Sequence, residues 1–517
     1  MQIKADLHIH SRFSRATSAK LTPAYLDRWA RIKGLGLVGT GDCTHPLWLQ
    51  ELREQLEDAE EGCYVLKEPL RKAFDTGPAL TEGLPEPDRA AEPPRFVLSG
   101  EISTIYKRGD RTRKIHHLTL LPDFKAAAAL QTRLERVGNI RSDGRPILGI
   151  DSRDLLALIL DADERALLIP AHIWTPWFSA LGAKSGFDSI DECYGDLASR
   201  ISAIETGLSS NPPMNWAVPS LDRFAVISNS DAHSPDKLGR EGTVFEMERS
   251  FPSLTAALRS GASAEPGSPA PDGSRPKIIE TIEFFPQEGK YHYDGHRNCG
   301  VYRGPGEAAD GICPVCKKPL TRGVMGRVLE LAERPVDEHA LYAVDGRFPN
   351  RRPYRSLVPL KEILGELLQT GPDSKKVMAA YNSLIGQAGS ELSILMDMDA
   401  AGIAGLRCPG LSGELLAGAL ERMRAGEVSI TPGYDGEYGV IRVVSGAPAK
   451  RNAASVRACS KSGILALQTP KFYLAGSKRA RKSGFLRSID RKNPQFEQAL
   501  RVSQNASATE FPSCPPF

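Results

Sequence analysis

Over the first 250 residues, nearly every short apolar run ends in a histidine or a carboxylate. Asp6-Leu-His8-Ile-His10 continues a strand-like opening, Asp42 ends Leu35-Gly-Leu-Val-Gly-Thr-Gly, and Glu101 ends Phe96-Val-Leu-Ser-Gly. His116 and His117 lie on a fourth run, His172 closes Leu167-Leu-Ile-Pro-Ala, and Asp231-Ala-His233 closes Ala225-Val-Ile-Ser-Asn-Ser. Helical patterns separate these runs. Thr22-Pro23 opens one whose Leu26, Trp29 and Ile32 share a face before Gly34 stops it. Such alternation predicts a parallel α/β fold, open or closed into a barrel. In folds of this kind the strand ends converge on one edge, where sites are built.

Histidine is scarce, ten in 517 residues, so its placement carries weight. Side chains two apart on a strand share a face, which lets His-x-His aim both rings at one point. A single histidine at a strand end is more often structural than a metal ligand. Seven or eight converging imidazoles and carboxylates predict a multinuclear metal site, and donors of this mixture suit zinc, manganese or iron(II). His45 reads equally as an auxiliary group or as the start of the helix after Pro46.

No run of about eighteen apolar residues occurs, so a membrane span is excluded. The opening Met-Gln-Ile-Lys-Ala-Asp-Leu-His lacks the hydrophobic core of a signal peptide. Nine cysteines, an odd number in a chain this long, do not form a disulfide scaffold. These features predict a cytoplasmic, nucleoid-associated protein. The net charge of +3 is uneven: from Lys450 onward thirteen Lys and Arg stand against three acids, leaving the preceding residues at −7. A basic appendage on a mildly acidic body suits contact with a polyanion, and a solvated tail fits the same charge.

Residues 76 to 94 and 261 to 277 are rich in Pro, Gly, Ala and charge, and read as an exposed insertion and a linker. His296-x2-Cys299 and Cys313-x2-Cys316 have the spacing of a closed, structural zinc site, with His292 as a competitor for His296. Residues 356 to 425 have helical patterns, and Ile430 to Val444 reads as a hairpin.

The ordered strings Asp6-Leu-His-Ile-His-Ser11, Gly39-Thr-Gly-Asp42, Ser99-Gly-Glu101, His117-Leu-Thr-Leu-Leu121, Ala171-His172 and Asn229-Ser-Asp-Ala-His233 resemble the PHP (polymerase and histidinol phosphatase) metallohydrolases. That resemblance implies a distorted (β/α)7 barrel holding two or three divalent ions (zinc, manganese or magnesium). It implies His8, His10, Asp42, Glu101, His117, His172, Asp231 and His233 as ligands and catalytic residues. His117 is chosen over His116 because it precedes Leu-Thr-Leu-Leu. Arg15 falls where relatives place an acidic or histidine ligand; a guanidinium cannot ligate metal, so either a third metal is weakly held or Arg15 offers its charge to a phosphate.

Lys290-Tyr-His-Tyr-Asp-Gly-His-Arg297, Cys313-Pro-Val-Cys-Lys-Lys-Pro-Leu-Thr321, Pro353-Tyr-Arg-Ser-Leu-Val-Pro-Leu360 and Pro432-Gly-Tyr-Asp-Gly-Glu-Tyr-Gly439 are similar to endonuclease Q over roughly residues 1 to 445. The resemblance implies a barrel at 1–260, a linker at 261–279, a zinc module at 280–345 and a helical part at 346–449. The basic tail, 450–517, has no counterpart. The implied activity is nicking of DNA 5′ to deaminated bases (uracil, hypoxanthine, xanthine) or abasic sites. A sliding clamp is an open partner. Trp174 and Trp177, beside His172, read equally as residues stacking on a flipped base or as a hydrophobic lid packed on the barrel. A phosphatase of small esters and a non-catalytic DNA-binding protein are the competing readings.

Overall fold

The strand Gln2–Asp6 lies inside the main sheet with a neighbour on each side. It pairs in parallel with Leu37–Gly39 and antiparallel with Gly242–Glu246. Leu37–Gly39 pairs in parallel with Arg95–Arg108, and Gly242–Glu246 antiparallel with Lys277–Glu283. These relations come from a computed structural model of the chain, which describes residues 1–88, 92–260, 276–304, 307, 311–334 and 351–444.

The sheet is mixed rather than parallel, and for its longest antiparallel pair turn chemistry is the reason. Gly109, at φ 61°, lets the chain reverse between Arg108 and Arg111. Arg95–Arg108 and Arg111–Leu121 therefore form a long antiparallel hairpin, to which Leu167–Pro170 adds antiparallel. Ala203–Glu205 and Ala225–Ile227 pair in parallel as a separate ladder. Leu7, Val97, Leu118, Ile169, Ala203, Ile227 and Phe245 are packed in one buried cluster.

The helix Pro23–Lys33 starts and stops where its sequence indicates. Proline occupies its first turn, and Gly34 at φ 85° closes it by donating to the carbonyls of Ala30 and Arg31. Nine of its eleven residues are buried, more than one apolar stripe accounts for. Part of the cover comes from the expected exposed insertion. Arg28 donates to Asp75 and to the carbonyl of Pro85, so that segment is partly packed against the helix.

Lys277–Glu283 carries the sheet past residue 260, and Tyr354–Ser356 extends it further. The C-terminal helices Leu360–Leu367, Lys375–Ala388, Ala400–Ala404 and Gly413–Arg424 follow. Ser374, Asp399 and Ser412 cap the last three by accepting backbone N–H bonds. Ser429–Thr431 and Val440–Arg442 pair as the expected hairpin. The described residues belong to one compact unit, Met1–Val456. The second unit, Arg457–Phe517, with nearly all of the basic tail, lies outside the described residues, as does most of the linker. Among the described residues no helix is long and apolar enough to cross a membrane.

Lys33 at the end of Pro23–Lys33 meets Glu391 at 2.5 Å, with both side chains buried. Glu391 also accepts from the Tyr381 hydroxyl and the Leu360 N–H. Burial pushes the Glu391 carboxyl up, and Lys33, Tyr381 and Leu360 outweigh it, holding the group below the ordinary carboxylate range. A depressed carboxyl contributes stability above its unfolded pKa and loses it as pH falls through the folded value. Glu391→Gln is therefore expected to cost about 3–5 kcal/mol at neutral pH, because it leaves a buried ammonium unpaired. Urea denaturation at neutral and acidic pH checks this: the gap between wild type and variant should shrink on acidification.

Candidate metal centre and groove

His8 and His10 lie just beyond Gln2–Asp6, held by the bridge between Ile9 and Ala232. Glu101 comes from Arg95–Arg108, and Asp231 follows Ala225–Ile227. The ligand atoms of His8, His10, Glu101 and Asp231 lie within 4.8 Å of one another. Glu101, His116 and His172 form a second such group, so Glu101 is shared. His10 Nε2 is 2.9 Å from Asp231 Oδ1 and 3.3 Å from Glu101 Oε2. On the other side, Glu101 Oε1 is 2.5 Å from His116 Nδ1 and 3.3 Å from His172 Nε2.

The donor set fits divalent metal on a specific observation. His8 Nε2 is buried without a hydrogen-bond partner, 3.7 Å from Glu101 Oε2 and 3.8 Å from Asp231 Oδ1. Its other nitrogen, Nδ1, sits 3.0 Å from both oxygens of Glu205. A carboxylate behind an imidazole sets the tautomer and leaves the far nitrogen free to ligate. Asp42 stands behind His10 in the same way: Oδ1 is 3.2 Å from His10 Nδ1, while Oδ2 accepts from the Ser11 and Ser14 hydroxyls.

Burial pushes the Glu101 carboxyl up, but His116, Arg145 and His10 reverse this and hold it well below the carboxylate range. Burial likewise lowers His8 and His10, and the facing carboxylates overcome it, raising both well above the ordinary imidazole value. For His116 burial wins, taking it down to about 4. Asp42, His172 and Asp231 adopt left-handed backbone, at φ 47°, 29° and 48°. Such strain costs about 1–3 kcal/mol per residue and collects at sites where the surroundings impose it. A Cβ on Gly207 would lie 2.3 Å from the Cβ of His172, so glycine is required there.

The paired histidines correct one expectation. His117 points away from the cluster, with Nδ1 2.8 Å from the Tyr194 hydroxyl and Nε2 3.1 Å from Thr104. His116 takes the position beside Glu101 instead. The hairpin register decides this: Arg108 pairs with Arg111 and Ser103 with His116, which puts His116 and Glu101 on one face. The Gly109-Asp110 turn was the sequence signal that could have set this register.

Asp42 orients His10 and belongs to neither ligand group. His233 packs beside His10, ring centroids 4.5 Å apart, and is also outside both groups. Arg15 is largely exposed, with Nε 3.4 Å from Asp143. His45 caps the helix Pro46–Gln55 by accepting from the Trp48 N–H. Trp174 is wholly buried and donates to Asn215 at 2.8 Å, which takes it out of reach of a base. Trp177 is 38% exposed and meets Tyr291 edge to face. Two residues escaped sequence reasoning. Glu205 ends a strand run and obeyed the same strand-end rule; Arg145 is in a loop and carried no pattern.

His296, Cys299, Cys313 and Cys316 bring their ligand atoms together as a separate group. His292 lies apart, buried against Tyr293. Backbone N–H groups of Cys316 and Val315 outweigh burial and lower the Cys313 thiol, favouring the thiolate that a metal binds.

His116, His172, Arg145 and Asp231 open onto a groove of about 700 Å³. Its walls include Trp177, Phe284, Tyr291 and Tyr438, and Lys237, Arg240 and Lys290 line it together with Glu288 and Glu362. Trp174→Ala should cost about 3–5 kcal/mol, as expected for an emptied core position. Trp177→Ala, at the groove rim, should stay within about 1 kcal/mol. Denaturant midpoints of the two variants check the contrast.

The MJ0043 C-terminal domain family matches residues 359–426. MJ0043 of Methanocaldococcus jannaschii is 29% identical over 280 residues, covering 52% of this chain but only 31% of that protein. The crystal structure of the lesion-specific endonuclease PfuEndoQ from Pyrococcus furiosus superposes with a TM-score of 0.69 at 28% identity. That superposition covers 87% of this chain and 98% of the other. An endonuclease Q complex with a 27-mer duplex substrate carrying an abasic lesion at the active site gives 0.68 and 28%, covering 87% and 99%. Over 87% of its length this chain is thus a structural homologue of endonuclease Q.

Proposed function

We propose that this chain is a metal-dependent endonuclease that nicks DNA 5′ to a deaminated base or an abasic site. The observation that carries the reading is the pair of ligand groups sharing Glu101 at the head of an aromatic-walled groove that also carries Lys237, Arg240 and Lys290. A distorted seven-stranded barrel of the PHP type is the architecture proposed to hold it. His8, His10, Glu101 and Asp231 would hold one divalent ion, and Glu101, His116 and His172 another. Such ions, when bound, supply an activated water and neutralise charge on the scissile phosphate.

The chain's own residues supply the rest. Glu205 and Asp42 fix the rings of His8 and His10, so that each presents a set nitrogen to the centre. Lys237, Arg240 and Lys290 draw the phosphate backbone into the groove. Trp177 and Tyr291 offer ring faces and edges on which an unstacked nucleotide can rest. Hydrolysis adds the water's hydroxyl to phosphorus and its proton to the departing 3′ oxygen, leaving 3′-hydroxyl and 5′-phosphate ends. The His296–Cys316 group is proposed as a structural zinc site that stabilises its small segment.

End-labelled duplexes carrying one uracil, hypoxanthine or abasic site, with and without chelator, test the reading. Wild type should nick them only with metal, and His116→Gln and Glu101→Gln should abolish nicking while His117→Gln retains it. Release of phosphate from small esters without nicking would instead mean a phosphatase. In the His296–Cys316 group, Cys313→Ser should release about one zinc per chain and lower the melting temperature, since a structural site contributes folding energy directly. Elemental analysis with thermal melting checks it.

A further inference from the structure

Arg145 stands at the boundary between the ligand groups and the groove. Its Nη1 donates to Glu101 Oε2 at 3.0 Å, and its side chain is 24% exposed. Among the described residues this is the one hydrogen bond its side chain makes, which leaves most of its five donors uncommitted. Four imidazoles also surround that carboxylate, so Arg145 is not its sole polar neighbour. A guanidinium placed beside a centre built for divalent cations is unfavourable unless anions lie between them. Glu101 is one such anion, and the groove beyond has room for another.

A second arginine is tied to the first. Asp143, itself buried, accepts from the backbone N–H groups of both Arg15 and Arg145 through Oδ1, at 3.2 Å each. Its Oδ2 is 3.4 Å from the Arg15 guanidinium, whose side chain is 74% exposed. Gly144 donates to the Phe13 carbonyl at 2.9 Å, zipping the two loops together. A Cβ on Gly144 would fall 2.2 Å from Asp42 Oδ2, so only glycine lets this loop lie against the carboxylate that orients His10. One carboxylate thus organises two arginines, one turned inward to the centre and one outward to solvent.

We propose that Arg145 and Arg15, organised by Asp143, form a phosphate clamp. Arg145 contacts a non-bridging oxygen of the scissile phosphate, and Arg15 contacts a flanking phosphate of the same strand. The proposal rests on the endonuclease reading and adds residues to it. Arg145 gains most as negative charge builds on the phosphate in the transition state, so its removal falls on kcat. Arg15 meets charge that does not change during the reaction, so its removal falls mainly on affinity.

The experiment compares wild type with Arg145→Gln, Arg145→Lys, Arg145→Ala and Arg15→Gln on a duplex with one abasic site. It measures kcat, KM and bound metal, and the salt dependence of DNA affinity in chelator. Arg145→Gln is expected to lose about 100- to 1,000-fold in kcat with its metal content intact. Arg145→Lys should recover part of the loss, and added methylguanidinium should partly restore Arg145→Ala. Arg15→Gln should weaken binding and reduce the salt slope by about one. Full activity in Arg145→Gln, or a loss that follows lost metal and resists methylguanidinium, would overturn the role of Arg145. An unchanged salt slope in Arg15→Gln would overturn the outer half of the clamp. Both outcomes leave wild-type nicking in place, whereas a wild type that nicks no lesion duplex sinks the endonuclease reading and the clamp with it.

Discussion

The burial of Glu101 is the constraint around which the site is arranged. A carboxylate wholly removed from water is stable as an anion only if opposite charge and hydrogen-bond donors surround it. Here they come from four separate places in the chain: His8 and His10, His116, Arg145 and His172. Each must approach within hydrogen-bonding or ion-pairing distance, so the strands that carry them are locked to one relative placement. Removing any of these segments would leave buried charge behind.

Support for this arrangement continues one layer out. Glu205 accepts from His8, from the Asn229 amide and from the backbone N–H of His172, linking three segments through one carboxylate. Asp42 binds His10, Ser11 and Ser14, fixing that one segment to the loop after Leu37–Gly39. The left-handed backbone at Asp42, His172 and Asp231 persists because these bonds over-determine it. A site fixed this firmly does not reorganise when charge develops on a substrate, which is the physical basis of electrostatic preorganisation.

The C-terminal half contributes more than a separate appendage would. It is tied to the buried helix Pro23–Lys33 by the Lys33–Glu391 pair, and Arg424 satisfies the carbonyls of Ile394, Leu395 and Met398. The segment before its helices gives Tyr291 and Lys290 to the groove, and the Gly-rich hairpin adds Tyr438. The specific string around Pro432 has a packing reason: Gly433 and Gly439 donate to Gln287 and Glu288, and Tyr434 packs so closely on Gly295 that a Cβ there would clash at 2.5 Å.

Much of this was legible in one dimension. Strand-end histidines and carboxylates announce themselves by position, and period-two geometry aims His8 and His10 together whatever the rest of the chain does. The Cys-x2-Cys spacing of Cys313 and Cys316 is equally local. What required the tertiary structure were choices that depend on which surfaces meet. His116 rather than His117 faces Glu101 because a hairpin register, counted from Gly109, sets the parity of the strand. Trp174 and Trp177 are three residues apart, and only packing sends one to the core and the other to the groove. Lys33 and Glu391 are 358 positions apart and share no pattern that would pair them. Arg145 sits in a loop without periodicity, so its place beside Glu101 follows from how Asp143 and Gly144 dock against the loop at Phe13. Local rules govern which residues a strand end presents; long-range contacts decide what those residues face, because burial and pairing are properties of the assembled chain.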